Sequence, residues 1–122
     1  MQISLVSFGY KYGIPARAHV VFDVRFISNP YYVKELRDKT GQSAAVQKYV
    51  LRQKTGQSFL QKSLALLELM VKEYKKSRKY HLMVAFGCTG GKHRSVVIAE
   101  TMKKRLQHLG LNITVMHRDE KL

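Results

Sequence analysis

Apolar residues along this chain recur with two periods, one alternating and one helical, and glycine, proline and asparagine mark the changes between them. Ile3-Ser-Leu-Val-Ser-Phe8 is a short, partly β-branched run that stops at Gly9, and His19-Val-Val-Phe-Asp-Val-Arg-Phe26 is a second that stops at Asn29-Pro30. Both predict strands. Tyr80-His-Leu-Met-Val-Ala-Phe86 predicts a third, and its unbroken apolar character predicts burial on both faces. Leu111-Asn-Ile-Thr-Val-Met-His117 predicts the last. Tyr10 to Ala18 is short for a full helical crossover, so the pairing of the first two strands stays open.

The helical period governs the segments between. Ala44 to about Gln53 favours helix, and Ser58 reads as the N-cap of the clearest helix, with Gln61 as its capping-box partner. Leu60, Leu64, Leu67, Val71 and Tyr74 form its inward stripe, widened by Phe59, Leu66 and Met70. Ser95 to Leu109 predicts another helix, with Ile98, Ala99, Met102, Leu106 and Leu109 inward and Gly110 stopping it. Residues 28–43 read as loop, with Pro30, Tyr31 and Tyr32 followed by Lys34, Arg37 and Lys39. Lys-Thr-Gly-Gln-Ser occurs at 39–43 and again at 54–58, which reads as glycine ending one element and serine capping the next, not as a repeat architecture.

Strands alternating with helices predict an α/β fold: a single domain over 1–122, with a mostly parallel sheet flanked by helices and a ligand crevice at the strand C-terminal ends. The residues at those ends are Gly9, Tyr10 and Lys11, then Asp23 and Arg25, then Gly87 to Arg94, then His117, Arg118 and Asp119. Their convergence is the expectation.

The third end carries the densest chemistry. Gly87-Cys-Thr-Gly-Gly-Lys-His-Arg-Ser95 passes from a strand through a glycine-rich turn into a helix, the arrangement that presents free amides and positive charge to an oxyanion. Gly87, Thr89, Gly90, Gly91, Lys92, His93, Arg94 and Ser95 are the candidate phosphate-binding residues, with Arg25, Asp23, His117 and Arg118 expected to join them. His93 and His117 suit either donation to an anion or proton shuttling near neutral pH. Arg25 and Asp23 also suit an ordinary strand-end ion pair. The ATPase loop pattern fails, because His93 stands where a magnesium-binding hydroxyl is required. Cys88, five residues, then Arg94 and Ser95 is instead the spacing of cysteine-dependent phosphatases, in which a thiolate attacks phosphorus and the arginine forks onto its oxygens. Gly87 departs from that pattern, since such enzymes usually carry histidine there, and Asp23 and Asp119 are the only nearby acids.

Composition narrows what carries the phosphate. The chain has 122 residues, enough for one core, and 22 Lys+Arg against 8 Asp+Glu give a formal charge of +14. Such a field attracts polyanions, and RNA is the expected partner. Lys11, Arg17, Lys75, Lys76, Arg78, Lys79, Lys103, Lys104 and Arg105 are the candidate RNA contacts. Lys75 to Lys79 equally suits the negative end of the preceding helix. Tyr10, Tyr12, Tyr31 and Tyr32 offer faces on which bases stack, or serve as half-buried loop anchors. The single cysteine rules out an internal disulfide, and no Cys/His spacing suits zinc, so neither metal nor other cofactor is expected. A reducing, cytoplasmic setting follows, with no segment of signal-peptide or membrane-spanning character expected.

Phe8-Gly-Tyr-Lys-Tyr-Gly-Ile-Pro15, Phe22-Asp-Val-Arg-Phe26, Asn29-Pro30-Tyr31, Leu36-Arg37, Thr40-Gly41, Gly87 to Ser95 and His117-Arg118 together resemble the RapZ C-terminal domain family, that of the bacterial RNase adapter proteins. The resemblance covers nearly the whole chain, and the domain is expected to stand alone. It implies an α/β domain that binds RNA, presents it to a ribonuclease, oligomerises with its own kind, and senses glucosamine 6-phosphate in a pocket containing the glycine-rich loop. It implies that Thr89, Gly90 and Arg94 hold the phosphorylated ligand, with Lys92 and His93 serving ligand or RNA. The nucleotide-binding domain of the family, with its Walker A loop, has no match in these residues, so nucleotide binding is not carried over. Tyr12 stands where members commonly have histidine, which bears on specificity for an amino sugar.

Overall fold

The protein is described over residues 1–122 by a computed structural model. Four strands, β1 (Gln2–Gly9), β2 (Val20–Asp23), β3 (His81–Cys88) and β4 (Asn112–His117), alternate with three helices, α1 (Ala44–Leu51), α2 (Lys54–Lys76) and α3 (Arg94–Leu106). All strand pairs are parallel, in the order β2-β3-β1-β4. The expectation of a mostly parallel α/β sheet therefore holds. The open pairing is resolved too: β2 lies beside β3, not β1. The register sets Phe8 opposite Gly87, Gly9 opposite Cys88 and Ser7 opposite His117, so β1 and β3 finish level and β4 ends just short of them.

One cluster of 19 buried residues joins the strand residues Ile3, Leu5, Leu82, Val84, Phe86 and Cys88 to the inward residues of all three helices. Strand side chains alternate, so Val6, Phe8 and Ala85, buried yet outside that cluster, face the other side of the sheet. The helices thus form a single layer. Tyr10 lies against the opposite side, because a Cβ on Gly87 would sit 2.6 Å from its ring.

The α2 stripe is buried at Leu60, Leu67 and Val71, each contributing on the order of 1.5–3 kcal/mol. Leu64, Met70, Tyr74 and Phe59 pack partly against the core, whereas Leu66 is exposed. The start of α2 differs from the sequence expectation. The helix begins at Lys54, with Gln53 at the N-cap and no side chain capping it, so Ser58 is not a cap and Gly56 is not a breaker. Tertiary packing explains this: a Cβ at Gly56 would lie 2.9 Å from the Val50 carbonyl, so only glycine lets the end of α1 abut α2. The Gln57 side chain then donates to the Leu51 carbonyl, satisfying an acceptor at the end of α1. In α3 the expected face is buried at Ile98, Ala99, Met102 and Leu106, and a short 3-10 turn (Gln107–Leu109) closes it at Gly110.

Candidate oxyanion site

The turn between β3 and α3 is held from beneath by the end of β1. Gly91 has φ +76°, and a Cβ there would stand 2.6 Å from the Gly9 nitrogen; a Cβ on Gly9 would stand 2.5 Å from the Gly90 carbonyl carbon. Backbone packs directly on backbone. The Gly9 N–H donates to the Asp119 carboxylate at 2.8 Å, and Arg118 donates to the same carboxylate. Burial alone would raise the Asp119 pKa, but the Arg118 guanidinium and the Gly9 N–H outweigh it and hold the acid below the usual carboxylate range. The segment after β4 thereby pins the turn. On its outer side Gly90 faces open space.

His93 is the N-cap residue of α3, and no side chain caps this helix. The first amides of α3 have no acceptor within their own helix, which makes them donors for an oxyanion. Beside them Arg94 is 4% exposed, and no carboxylate forms a salt bridge with it. One of its terminal nitrogens donates to the carbonyls of Arg25 (2.7 Å) and Ile27 (2.9 Å), and the other reaches Thr89 Oγ1 at 3.5 Å. Its Nε is buried without a partner, as is His93 Nε2. Burial pushes the Arg94 pKa below its ordinary value, and likewise that of His93, on which Arg94 and Lys92 also exert repulsion. A buried cation with no carboxylate in contact is costly, and a bound anion offsets that cost.

A cavity of about 360 Å³ opens here, within the range of small-ligand pockets. Thr89, Gly90, Lys92, His93 and Arg94 line one wall with Cys88, and Lys11, Tyr12, Asn29, Tyr31 and Tyr32 line the rest with Leu122. No aspartate or glutamate side chain is among them. Asn29 and the tyrosines join through loops that sequence spacing alone could not align; the 3-10 turn at Pro30–Tyr32, whose N-cap Asn29 accepts from the Tyr31 N–H, places three of them.

Other candidate residues sit apart from this cavity. Gly87 lies under the rings of Phe8 and Tyr10. Asp23 and Arg25 form a bidentate pair, with the Arg25 guanidinium 3.9 Å from the Tyr10 ring centroid, and the bond from Arg25 lowers the Asp23 pKa. Gly91 is buried in the turn. Ser95 Oγ lies 3.1 Å from Cys88 Sγ, and that thiol is 2% exposed. His117 bridges Ser7 Oγ at 2.6 Å and Glu100 Oε1 at 2.8 Å on the helix side of the sheet. Arg118 spans Asp119 and the Gly13 carbonyl. Asp119 was visible as a strand-end residue, whereas Glu100 had no signal in the sequence beyond its charge.

The candidate RNA contacts divide between two poles. Lys11 lines the cavity and Arg17 is exposed in the β1–β2 connection. Lys75 and Lys76 close α2, and Lys103, Lys104 and Arg105 close α3. Arg78 and Lys79 follow α2 in the short link to β3, so these residues gather where the strands begin, opposite the glycine-rich turn. No three His, Cys, Asp or Glu side chains cluster as a metal site. No helix is long and apolar enough to cross a membrane.

The model of the RapZ C-terminal domain family matches residues 1–121. Among similar proteins, a nucleotide-binding protein of Caldicellulosiruptor bescii is 47% identical over 119 residues, which are 98% of this chain and 41% of the relative. One of Clostridioides difficile is 46% identical over 122 residues, covering 100% of this chain and 43% of the relative. One of Mycolicibacterium paratuberculosis is 48% identical over 123 residues, covering 98% and 40%. The chain thus spans about two-fifths of the length of the curated relatives it matches.

Proposed function

Because this chain belongs to the RapZ C-terminal domain family, we propose that it is a binding module that takes a phosphorylated metabolite of the amino-sugar-phosphate class in the cavity at the start of α3. The observation that carries this reading is Arg94: a guanidinium 4% exposed, without a carboxylate partner, its Nε unused, beside an uncapped helix. The phosphate takes the α3 amides and the Arg94 charge, while Thr89 and Lys92 supply further donors. Lys11 and Tyr12 face the sugar. Titration calorimetry with glucosamine 6-phosphate, glucose 6-phosphate and free glucosamine tests it. Both phosphates bind and the free sugar does not; equal binding of all three, or of none, removes the reading.

RNA is the proposed macromolecular partner, supported by the formal charge of +14. A ribonuclease that receives this RNA, and self-association, complete the adapter role. The relatives are named for nucleotide binding, but this chain matches only about two-fifths of them, so a nucleotide is not assigned to it.

A second reading, a cysteine phosphatase, draws on the 3.1 Å contact of Cys88 with Ser95 beside Arg94. Against it, Asp23 is paired with Arg25, and Asp119 with Arg118 and Gly9, which leaves no acid for the leaving group. Phosphate release from an aryl phosphate, abolished in Cys88→Ser, favours this second reading; no release from the wild type dismisses it.

A further inference from the structure

The sheet ends at β2, which pairs with β3 alone and leaves its outer main-chain groups without a strand partner. Such edges are often blunted by lysine or proline. Val20-Val-Phe-Asp23 carries neither. Beside this edge, along the first half of α2, runs a groove of about 430 Å³ lined by Phe22, Phe26, Phe59 and Leu66, with Lys62 as its only ionisable group. The rings pack on one another, Phe22 at 5.4 Å and Phe26 at 5.7 Å from Phe59 between centroids, so the surface is built rather than loose. It is nevertheless open, with Phe26 57% and Leu66 43% exposed.

Charge selects the occupant. Lys62 has no carboxylate partner. The first turn of α2, from which Thr55 and Ser58 reach the groove, has no acid and no capping side chain, so the positive end of that helix is uncompensated too. A second copy of this chain fits poorly. It would bring a formal charge of +14 against +14, and five of its eight acids, Asp23, Glu68, Glu73, Glu100 and Asp119, are already engaged by basic side chains of their own copy. A small apolar molecule would fill the groove but leave the main-chain edge unused. An extended acidic peptide uses the edge, the apolar surface and the positive charge together.

We propose that β2 and this groove receive an extended acidic segment of a partner protein, added to the four-stranded sheet as a further strand. Alternate apolar side chains of the segment seat among Phe22, Phe26 and Leu66, and its carboxylates meet Lys62 and the start of α2. This surface shares no lining residue with the oxyanion cavity, so the two stand or fall separately.

The test uses the whole chain and a fluorescein-labelled peptide with phenylalanine, valine and leucine at alternate positions, threonine between them and paired aspartates at both ends. Anisotropy follows binding, and amide hydrogen exchange is measured on the complex. Saturable binding is expected, with exchange slowed at Val20–Asp23. Leu66→Ala and Lys62→Glu, both at exposed positions of α2 that the fold does not need, each weaken it at least about fivefold. The same peptide with lysine in place of aspartate does not bind, and inorganic phosphate binds both variants as it binds the wild type. Binding unmoved by either substitution, equal binding of the lysine peptide, or no saturable binding overturns the proposal. So does a free chain that sediments as a dimer and becomes a monomer on Leu66→Ala, which would give this face to a second copy.

Discussion

The guanidinium of Arg94 donates to the backbone carbonyl of Ile27 across 2.9 Å, tying the first residue of α3 to the loop after β2. One side chain therefore shapes the cavity and charges it. Arg94→Lys keeps the charge but loses the planar fork. Destabilisation of about 1–3 kcal/mol is expected in chemical denaturation, together with at least tenfold weaker phosphate binding by calorimetry. A lysine variant that binds as tightly as the wild type would show that charge alone suffices.

Gly91 meets Gly9 backbone to backbone at a left-handed φ of +76°. Gly91→Ala is strained twice, by its φ and by the Gly9 nitrogen 2.6 Å from the new methyl carbon. A loss of more than about 1 kcal/mol is expected, with the oxyanion site displaced. Thermal melting and phosphate titration of the variant check both parts.

His93 is held below its ordinary pKa by burial first, with Arg94 and Lys92 adding repulsion. In the unfolded chain it takes up a proton near pH 6.5, while the folded form resists. Its contribution to stability is complete above about pH 6.5 and declines as the pH falls toward the folded value. Urea midpoints at neutral pH and near pH 5 should therefore converge in His93→Gln relative to the wild type.

His117 joins Ser7, which is fully buried, to Glu100. His117→Ala strands the Ser7 hydroxyl and is expected to cost about 1–3 kcal/mol without changing phosphate affinity. A loss of affinity at full stability would instead return His117 to the binding site.

If several Lys and Arg side chains neutralise RNA phosphates, the logarithm of affinity falls with that of salt by about 0.7 per contact on a single strand. A flat salt response in an anisotropy titration contradicts RNA binding.

Much of this architecture is legible in the residues. Unbroken apolar character announced β3 as a doubly covered strand, and the Leu60–Leu67–Val71 stripe announced α2. The start of α2 was not legible, because the reason Gly56 is helical lies in the Val50 carbonyl of another helix. Strand ends could not say which face each side chain takes. Alternation sends Asp23 and Gly87 to the helix-free side, and His117 to the other. Tyr12, Tyr31 and Tyr32 were visible as aromatic faces; that the 3-10 turn brings Asn29 and Tyr32 to Arg94 depends on carbonyls at Arg25 and Ile27, which no side-chain pattern encodes.

The most direct test of the cradle is an amide chemical-shift titration of the labelled protein with inorganic phosphate. The largest saturable shifts should fall on Thr89 through Ser95, with the Arg94 Nε–H moving alongside them. Shifts concentrated on Lys75 to Lys79, or none that saturate, would contradict an oxyanion site at the start of α3.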